Sequence, residues 1–144
     1  MMIKKVCEYP LEVFTTAEGS MFPIYRDWDK FHSGYVPKMV YATTMMPNTT
    51  KGPILHRKRA EFITAISGCV EMEYYEGGDI KSTFLRDDTG TSKIVMMPAG
   101  VPKRLYNRSS HDTAVIVNLP SRAWHPDDQD TEKFRDWNEC LSVV

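Results

Sequence analysis

The stretch Gly52–Gly68, which reads GPILHRKRAEFITAISG, decides the fold. It opens with a glycine and a proline, and its β-rich part, Glu61–Ile66, ends just before a second glycine. Glycine and proline fix the turns that allow short strands to wrap around one another. The stretch is therefore predicted to contain turns between short strands, with His56 in a strand.

A second stretch, Met97–Asn107, reads MPAGVPKRLYN and has the same character. Pro98 and Gly100 supply the turn chemistry, and Asn107 closes the stretch. We interpret the two stretches as a pair of strand, turn and strand units that belong to one β-structure.

Short β-rich segments between prolines and glycines make up most of the remaining chain, which predicts an all-β protein. In one of them, Val70, Met72 and Tyr74 alternate with Glu71 and Glu73, as expected for a half-buried strand. The predicted strands are Tyr35–Met46, Glu61–Ile66, Cys69–Tyr75, Lys81–Leu85, Ser92–Met97 and Thr113–Leu119.

The tail after Pro126 is the only segment with a helical pattern. Asp127 and Asp128 can supply an acidic first turn, which the helix dipole favours. We therefore predict a short C-terminal helix within Glu132–Leu141.

The composition limits the class of protein and its partners. A chain of 144 residues is long enough for one domain with a real core. Lysine plus arginine number 18 and aspartate plus glutamate number 19, a balance that gives no reason to expect nucleic acid or an anionic membrane surface as partner. The expected partner is a small molecule or another protein.

The cysteines and the apolar pattern predict a cytoplasmic location. Cys7, Cys69 and Cys140 are odd in number and far apart, which indicates reduced thiols rather than a disulfide framework or a zinc ribbon. The first ten residues have no apolar signal core, and no run approaches the roughly 18 apolar residues of a membrane span.

The paired stretches resemble the two motifs of the cupin superfamily. Gly52, His56, Glu61 and Gly68 keep the skeleton of the first motif, and Pro98, Gly100 and Asn107 keep that of the second. The resemblance implies a single-domain jelly-roll barrel, a double-stranded β-helix, over residues 1–144. Lys58 and Lys103 stand where metal-binding cupins have histidines, and an ammonium has no lone pair for a metal. We therefore expect neither a metal nor another cofactor, and an anionic or carbonyl-bearing ligand.

Within the superfamily the chain is most similar to a sugar-nucleotide branch, the dTDP-4-dehydrorhamnose 3,5-epimerases and the dTDP-sugar 3,4-ketoisomerases. The likeness runs from about Val13 to Trp137 and rests on Glu18–Phe22, Lys51–His56 and Ala123–Pro126. It implies a homodimer in which N-terminal strands, within about residues 1–30, are exchanged between subunits.

The resemblance assigns a role to each candidate residue. His56 is the general base, and Lys58 and Lys103 stabilise the enolate oxygen. The family's acidic tyrosine aligns with Asn118, so the acid is Tyr106, or Tyr41 on an earlier strand, if either side chain points into the barrel. The predicted substrate-binding residues are Lys51, Glu61, Asn118, Trp124 and Tyr41.

These assignments predict a metal-independent isomerase or epimerase that acts on a nucleotide-linked keto-sugar in polysaccharide or deoxysugar biosynthesis. The alternative is a non-catalytic cupin that binds a sugar or another small anion, and a metal-dependent dioxygenase ranks third. Two structural alternatives also stay open. Lys58 and Lys103 can lie outward as solvated strand residues, and Glu61 can pair with a lysine instead of contacting substrate.

Overall fold

The computed structural model describes residues 3–144 and shows a β-protein with one short helix in this range. The strands are β1 Cys7–Pro10, β2 Phe14–Thr16, β3 Gly19–Met21, β4 Tyr41–Met45, β5 Thr50–His56, β6 Glu61–Ser67, β7 Val70–Glu76, β8 Asp79–Arg86, β9 Lys93–Met97, β10 Lys103–Asn107, β11 Ala114–Pro120 and β12 Thr131–Lys133, and the helix is α1 Trp137–Leu141. Within this range, two pairs of consecutive strands form hairpins, β2–β3 and β7–β8.

Two five-stranded antiparallel sheets form the barrel. The first has the order β1-β9-β6-β11-β4, and the second has the order β12-β5-β10-β7-β8. Apart from the hairpin β7–β8, neighbours in each sheet come from distant parts of the sequence, as in a jelly roll. The predicted all-β jelly-roll cupin is thus confirmed. A separate hairpin of β2 and β3 lies outside both sheets.

The apolar core fills one end of the barrel between the two sheets. Val70, Met72 and Tyr74 of β7 are buried there, which confirms the face predicted from their alternation. Ile63 from the first sheet and Leu85 from the second are fully buried in the same cluster. Because this end is packed with apolar side chains, the polar site lies at the opposite end.

The outer face of the first sheet is covered by the N-terminal part of the same chain. Phe62 of β6 is fully buried there, and the Tyr35 ring stacks on it with ring centroids 4.3 Å apart. Tyr35 also donates its hydroxyl proton to the Leu119 carbonyl at 2.7 Å. The loop before β4 is therefore fastened to the sheet that carries part of the site.

Two motif glycines lie where strands approach each other closely. Gly52 has φ +105°, and a Cβ atom there would lie 2.8 Å from the Lys103 carbonyl oxygen. Gly68 has φ +86°, and its Cβ would lie 2.7 Å from the Ala114 Cβ. Both positions need glycine because a side chain would collide with the neighbouring strand.

The C-terminal prediction is correct in the short helix and wrong in its starting point. Thr131–Lys133, at the edge of the predicted helical segment, forms β12 and pairs with the free edge of β5. The helix begins only at Trp137, after Asp136, whose carboxylate accepts a hydrogen bond from the Glu139 amide at 2.9 Å. The edge of β5 offers backbone hydrogen bonds that a longer helix would leave unused.

Across residues 3–144 no helix is long and apolar enough to cross a membrane.

Candidate active site

A cavity of about 550 Å³ opens at the end of the barrel opposite the apolar core. Both sheets contribute to its wall, together with the turn after β5 and the loop after β11. The polar and aromatic side chains that line it are Tyr41, Thr43, Lys51, His56, Arg59, Lys103, Asn118, Trp124, Thr131 and Lys133.

His56 is the last residue of β5 and projects into this cavity. Its side chain is only 10 % exposed. Nδ1 lies 3.0 Å from the Thr131 hydroxyl oxygen, and Nε2 lies 4.0 Å from Glu61 Oε1. The ring of His56 thus lies between Thr131 of β12 and the carboxylate of Glu61.

His56 is neutral at physiological pH. Burial, and then the positive charge of Lys103, lower its pKa from 6.5 to about 3, and they outweigh the opposing charge of Glu61. Arg59 and Lys51 lower the pKa of His56 further. A neutral imidazole has one free lone pair, so His56 can accept a proton.

Glu61 lies beneath the cavity and does not line it, which corrects its predicted role in substrate binding. Its side chain is 2 % exposed, its Oε1 accepts a hydrogen bond from the Lys103 ammonium, and its Oε2 accepts one from Asn118 Nδ2 at 2.9 Å. Burial alone would raise the pKa of Glu61, but the Lys103 charge and these hydrogen bonds lower it. The carboxylate is therefore ionised, and it forms the ion pair that the sequence had left as an alternative.

Lys103 points inward, as the second motif predicted. It is the first residue of β10, is 4 % exposed and lines the floor of the cavity. Asn118 of β11 lines the same floor and is bonded to Glu61. Lys103, Glu61 and Asn118 thus form one connected polar group below His56.

Tyr41 is the tyrosine that faces the cavity. It belongs to β4 and is paired with Asn118 of β11. Burial, and then the negative charge of Glu61, raise its pKa from 10 to about 12. The phenol therefore stays protonated and can donate a hydrogen bond to a ligand.

Tyr106 faces away from the cavity, which corrects its prediction as an acid. Along β10, Lys103, Leu105 and Asn107 are buried, whereas Tyr106 alternates to the outer side. Its hydroxyl donates to Glu73 Oε1 at 2.6 Å. The period of two along a strand places it on the face opposite Lys103.

The predicted inward position of Lys58 is wrong. β5 ends at His56, so the alternation that would place residue 58 on the same face stops there. The Lys58 side chain is 60 % exposed, and its ammonium lies 3.9 Å from Asp128 Oδ1. Arg59 turns inward instead, with a side chain that is 6 % exposed.

The sequence motifs did not predict two cationic residues of the cavity, Arg59 and Lys133. Arg59 follows the strand in an irregular turn, and Lys133 belongs to β12, which was predicted as helix. Lys51 lies nearby, where burial, and then the charges of Lys133 and Lys103, lower its pKa. Within the described residues, four cationic side chains thus line the cavity, and two of them are paired with buried carboxylates, Lys103 with Glu61 and Arg59 with Asp130.

The mouth of the cavity carries an aromatic side chain. Trp124 lines the cavity and is 54 % exposed, and its backbone amide donates to Met39 Sδ at 3.4 Å. An exposed indole at the rim can pack against a planar ring of a ligand.

The donor set does not suit a metal ion. Among residues 3–144 no group of three or more His, Cys, Asp or Glu side chains is arranged to hold one. The third histidine position of a metal-binding cupin carries Lys103, whose ammonium is bonded to Glu61.

Comparison with protein families finds one model that covers most of the chain. The model described as "FdtA: WxcM-like, C-terminal" matches residues 10–139. A comparison with curated proteins gave no match.

Several solved structures share the fold at low sequence identity. A mutant of the 3,4-ketoisomerase QdtA from Thermoanaerobacterium thermosaccharolyticum, in complex with TDP-4-keto-6-deoxyglucose, is 18 % identical, with a TM-score of 0.71 over 99 % of this chain and 95 % of that one. A dTDP sugar isomerase from Desulfovibrio desulfuricans is 15 % identical, with a TM-score of 0.77 over 90 % and 83 %. The 3'-monoepimerase ChmJ from Streptomyces bikiniensis, in complex with dTDP, is 12 % identical, with a TM-score of 0.77 over 100 % and 76 %.

Proposed function

The chain belongs to the family described as "FdtA: WxcM-like, C-terminal", and from this membership we propose that it is a metal-independent isomerase of nucleotide-linked keto-sugars. The observation that carries the proposal is a neutral His56 held in a cavity with four cationic side chains. Enolisation of a keto-sugar needs both features, a base for the proton on carbon and positive charge for the oxygen.

The cations in the cavity match an anionic substrate. A nucleoside diphosphate sugar carries its negative charge on the diphosphate, and Lys51 and Lys133 are placed in the lining to contact it. Trp124 at the rim provides a surface for the nucleotide base. QdtA and ChmJ were solved with TDP-linked or dTDP ligands, which supports the same ligand class for this chain.

The proposed reaction moves hydrogen between adjacent carbons without an external oxidant or reductant. Nε2 of His56 removes the proton from the carbon next to the keto group, and the C–H electron pair forms the carbon–carbon double bond of an enolate. Lys103 stabilises the charge on the enolate oxygen. The imidazolium then returns the proton to the former carbonyl carbon. The neighbouring hydroxyl transfers its proton to the enolate oxygen, so the former carbonyl becomes a hydroxyl and the former hydroxyl becomes the new ketone.

One base on one face of the sugar favours ketoisomerisation over double epimerisation. An epimerase needs an acid on the opposite face, and the position that the resemblance assigns to that tyrosine holds Asn118 with its amide bonded to Glu61. Tyr41 stays protonated in the same cavity and supplies a hydrogen bond to the sugar. We therefore place the chain with the ketoisomerases.

The proposal includes a cytoplasmic homodimer with exchanged N-terminal strands. The hairpin β2–β3 pairs only with itself in the described chain, and Phe14 and Met21 at its ends are largely exposed. Exposed apolar side chains of this kind support a contact with a second subunit.

The decisive experiment follows TDP-4-keto-6-deoxyglucose by NMR in D2O with the purified protein. We expect conversion to an isomer with the ketone moved to the neighbouring carbon. His56→Asn should lower the rate by at least about 100-fold, and His111→Asn, at an exposed position, is the matched control. Deuterium uptake with the original ketone retained would instead identify an epimerase.

A thermal-stability series separates catalysis from binding. A ligand at about 100 times its dissociation constant adds roughly 2.7 kcal/mol to the free energy of unfolding. Stabilisation by nucleotide sugars without any turnover would assign the chain to the non-catalytic cupins. Failure of every nucleotide to stabilise it, or loss of stability with a chelator, would overturn the proposed ligand class.

A further inference from the structure

The turn after β5 and the C-terminal strand β12 place side chains against His56 that the sequence motif did not predict. Thr131 Oγ1 lies 3.0 Å from His56 Nδ1, and Arg59 Nη2 lies 3.1 Å from the same hydroxyl oxygen. Arg59 Nε faces Asp130 Oδ2 at 3.4 Å, and both side chains are about 95 % buried, with exposures of 6 % and 5 %. Asp130 also accepts a hydrogen bond from the Lys58 amide at 2.5 Å. An ion pair thus joins Arg59 to Asp130, and Asp130 is bonded to the backbone of the turn after β5.

The contact of Arg59 with the imidazole leaves both ring nitrogens available to other partners. Nη2 of Arg59 lies 3.2 Å from Nδ1 and 3.4 Å from Nε2 of His56. The two ring nitrogens direct their bonds apart within the ring plane, so a donor nearly equidistant from both is aligned with neither. The guanidinium nitrogen thus lies against the face of the ring.

The hydroxyl of Thr131 lies between Arg59 and the His56 ring. A guanidinium only donates hydrogen bonds, so Thr131 Oγ1 accepts from Arg59. The second lone pair of that oxygen can accept from Nδ1–H of His56. A neutral imidazole carries one N–H, so with Nδ1–H bonded to Thr131 the lone pair lies on the remaining nitrogen, Nε2.

Building on the proposed function, we propose that Thr131, held by Arg59 and Asp130, fixes His56 as the Nδ1–H tautomer and directs the Nε2 lone pair to the substrate carbon. Thr131 and Arg59 are positioning residues in this scheme. After proton transfer, Nδ1–H remains bonded to Thr131, and the new Nε2–H faces Glu61 Oε1, 4.0 Å away in the free protein. A base in the other tautomer would present an N–H where a lone pair is required.

Nitrogen-15 NMR of the histidine rings in the free protein tests the tautomer directly. His32 is an internal reference for the opposite form, because the Gly34 amide donates to its Nδ1 at 3.2 Å and its Nε2 lies 2.8 Å from the Arg26 carbonyl. A His56→Gln spectrum assigns the His56 signals. We expect wild type and Thr131→Ser to show Nδ1–H, and Thr131→Val to lose that preference. Thr44→Val, on an exposed position of β4, is the matched control.

Kinetics provide the second readout. Thr131→Val should lower kcat about 100-fold with little change in KM, and Thr131→Ser should restore activity to within a few-fold of wild type. An Nε2–H signal for His56 in the wild type, or identical spectra for wild type and Thr131→Val, would overturn the inference. If the spectra behave as expected and no nucleotide sugar is converted, the proposed function fails and the tautomer assignment stands.

Discussion

The surroundings of His56 determine the pH range in which the proposed base can work. Only the deprotonated imidazole accepts a proton, so activity is lost as pH falls through the pKa of His56. That pKa is lowered to about 3 in the free protein, first by burial and then by Lys103. We therefore predict that kcat/KM shows no decline between pH 8 and pH 5.

The pH profile of kcat/KM, measured with a nucleotide keto-sugar, checks this prediction, because this parameter reports the free enzyme. A Lys103→Met variant is the informative comparison, since removal of the neighbouring ammonium raises the pKa of His56. Its acid limb should move to higher pH. A wild-type profile with an inflection near pH 6.5 would show that His56 keeps its ordinary pKa and would contradict the prediction.

The ion pair of Glu61 and Lys103 makes stability sensitive to single substitutions at the cavity floor. Both side chains are nearly buried, with exposures of 2 % and 5 %. Removal of one partner leaves an uncompensated buried charge, which costs about 3 to 5 kcal/mol, whereas joint replacement by apolar residues is often neutral. We predict that Lys103→Met destabilises the protein more than the double variant Glu61→Leu/Lys103→Met.

Urea unfolding of the two variants and the wild type measures this difference. Lys81→Met on the exposed edge strand β8 serves as the control, because its ion pair with Glu76 is 46 % exposed on the lysine side. Surface pairs contribute about 0 to 1 kcal/mol. Equal losses for Lys103→Met and the double variant would show that the cost lies in packing rather than in the unpaired charge.

At the scale of the elements, the antiparallel pairing of β5 with β10 depends on Gly52. An alanine there combines φ +105° with a Cβ placed 2.8 Å from the Lys103 carbonyl oxygen. We predict that Gly52→Ala lowers the free energy of unfolding by about 1 to 3 kcal/mol. Gly77→Ala is the matched control, since Gly77 also has a positive φ, +65°, but no atom within 4 Å of its Cβ position. Chemical denaturation of both variants checks the result, and equal losses would rule out the close approach as the cause.

The sequence predicted the elements whose signals are local. The alternation in β7 and the turn residues of the two motifs identified the barrel, and His56 and Lys103 were placed correctly by their motif positions.

Lys58 was misplaced because parity along a strand holds only while the strand continues, and β5 ends at His56. β12 was missed because its pairing depends on the free edge of β5, which is distant in sequence. Because of these two errors, the sequence did not predict that Arg59, Thr131 and Lys133 belong to the cavity.

At the scale of the whole molecule, the net charge does not indicate that the cavity is lined by positively charged side chains. The chain carries a formal charge of −1, with acidic and basic residues nearly equal in number. The fold gathers four cationic side chains around one cavity, where Glu61 and Asp130 pair with Lys103 and Arg59 and leave Lys51 and Lys133 for a ligand. An anionic ligand is therefore attracted by a local field that composition alone does not predict.

The N-terminal hairpin β2–β3 lies outside the barrel and exposes apolar side chains. Val13, Phe14 and Met21 are 42 %, 49 % and 60 % exposed, and adjacent exposed apolar side chains of this kind indicate a contact with another chain. We predict a dimer in light scattering at micromolar concentration, with this hairpin exchanged between subunits. Phe14→Ser/Met21→Ser should shift the measured mass to that of a monomer.

Ile80→Ser on the edge strand β8 is the control for that experiment. Ile80 is 44 % exposed and lies in the second barrel sheet, which does not include the hairpin β2–β3. It should leave the dimer intact, since the edge of β8 has no part in the predicted exchange. A wild type of monomeric mass would contradict the exchange outright. A double variant that remains dimeric would move the interface to another surface, for which the free edge of β4, paired within the described chain only with β11, is the next position to alter.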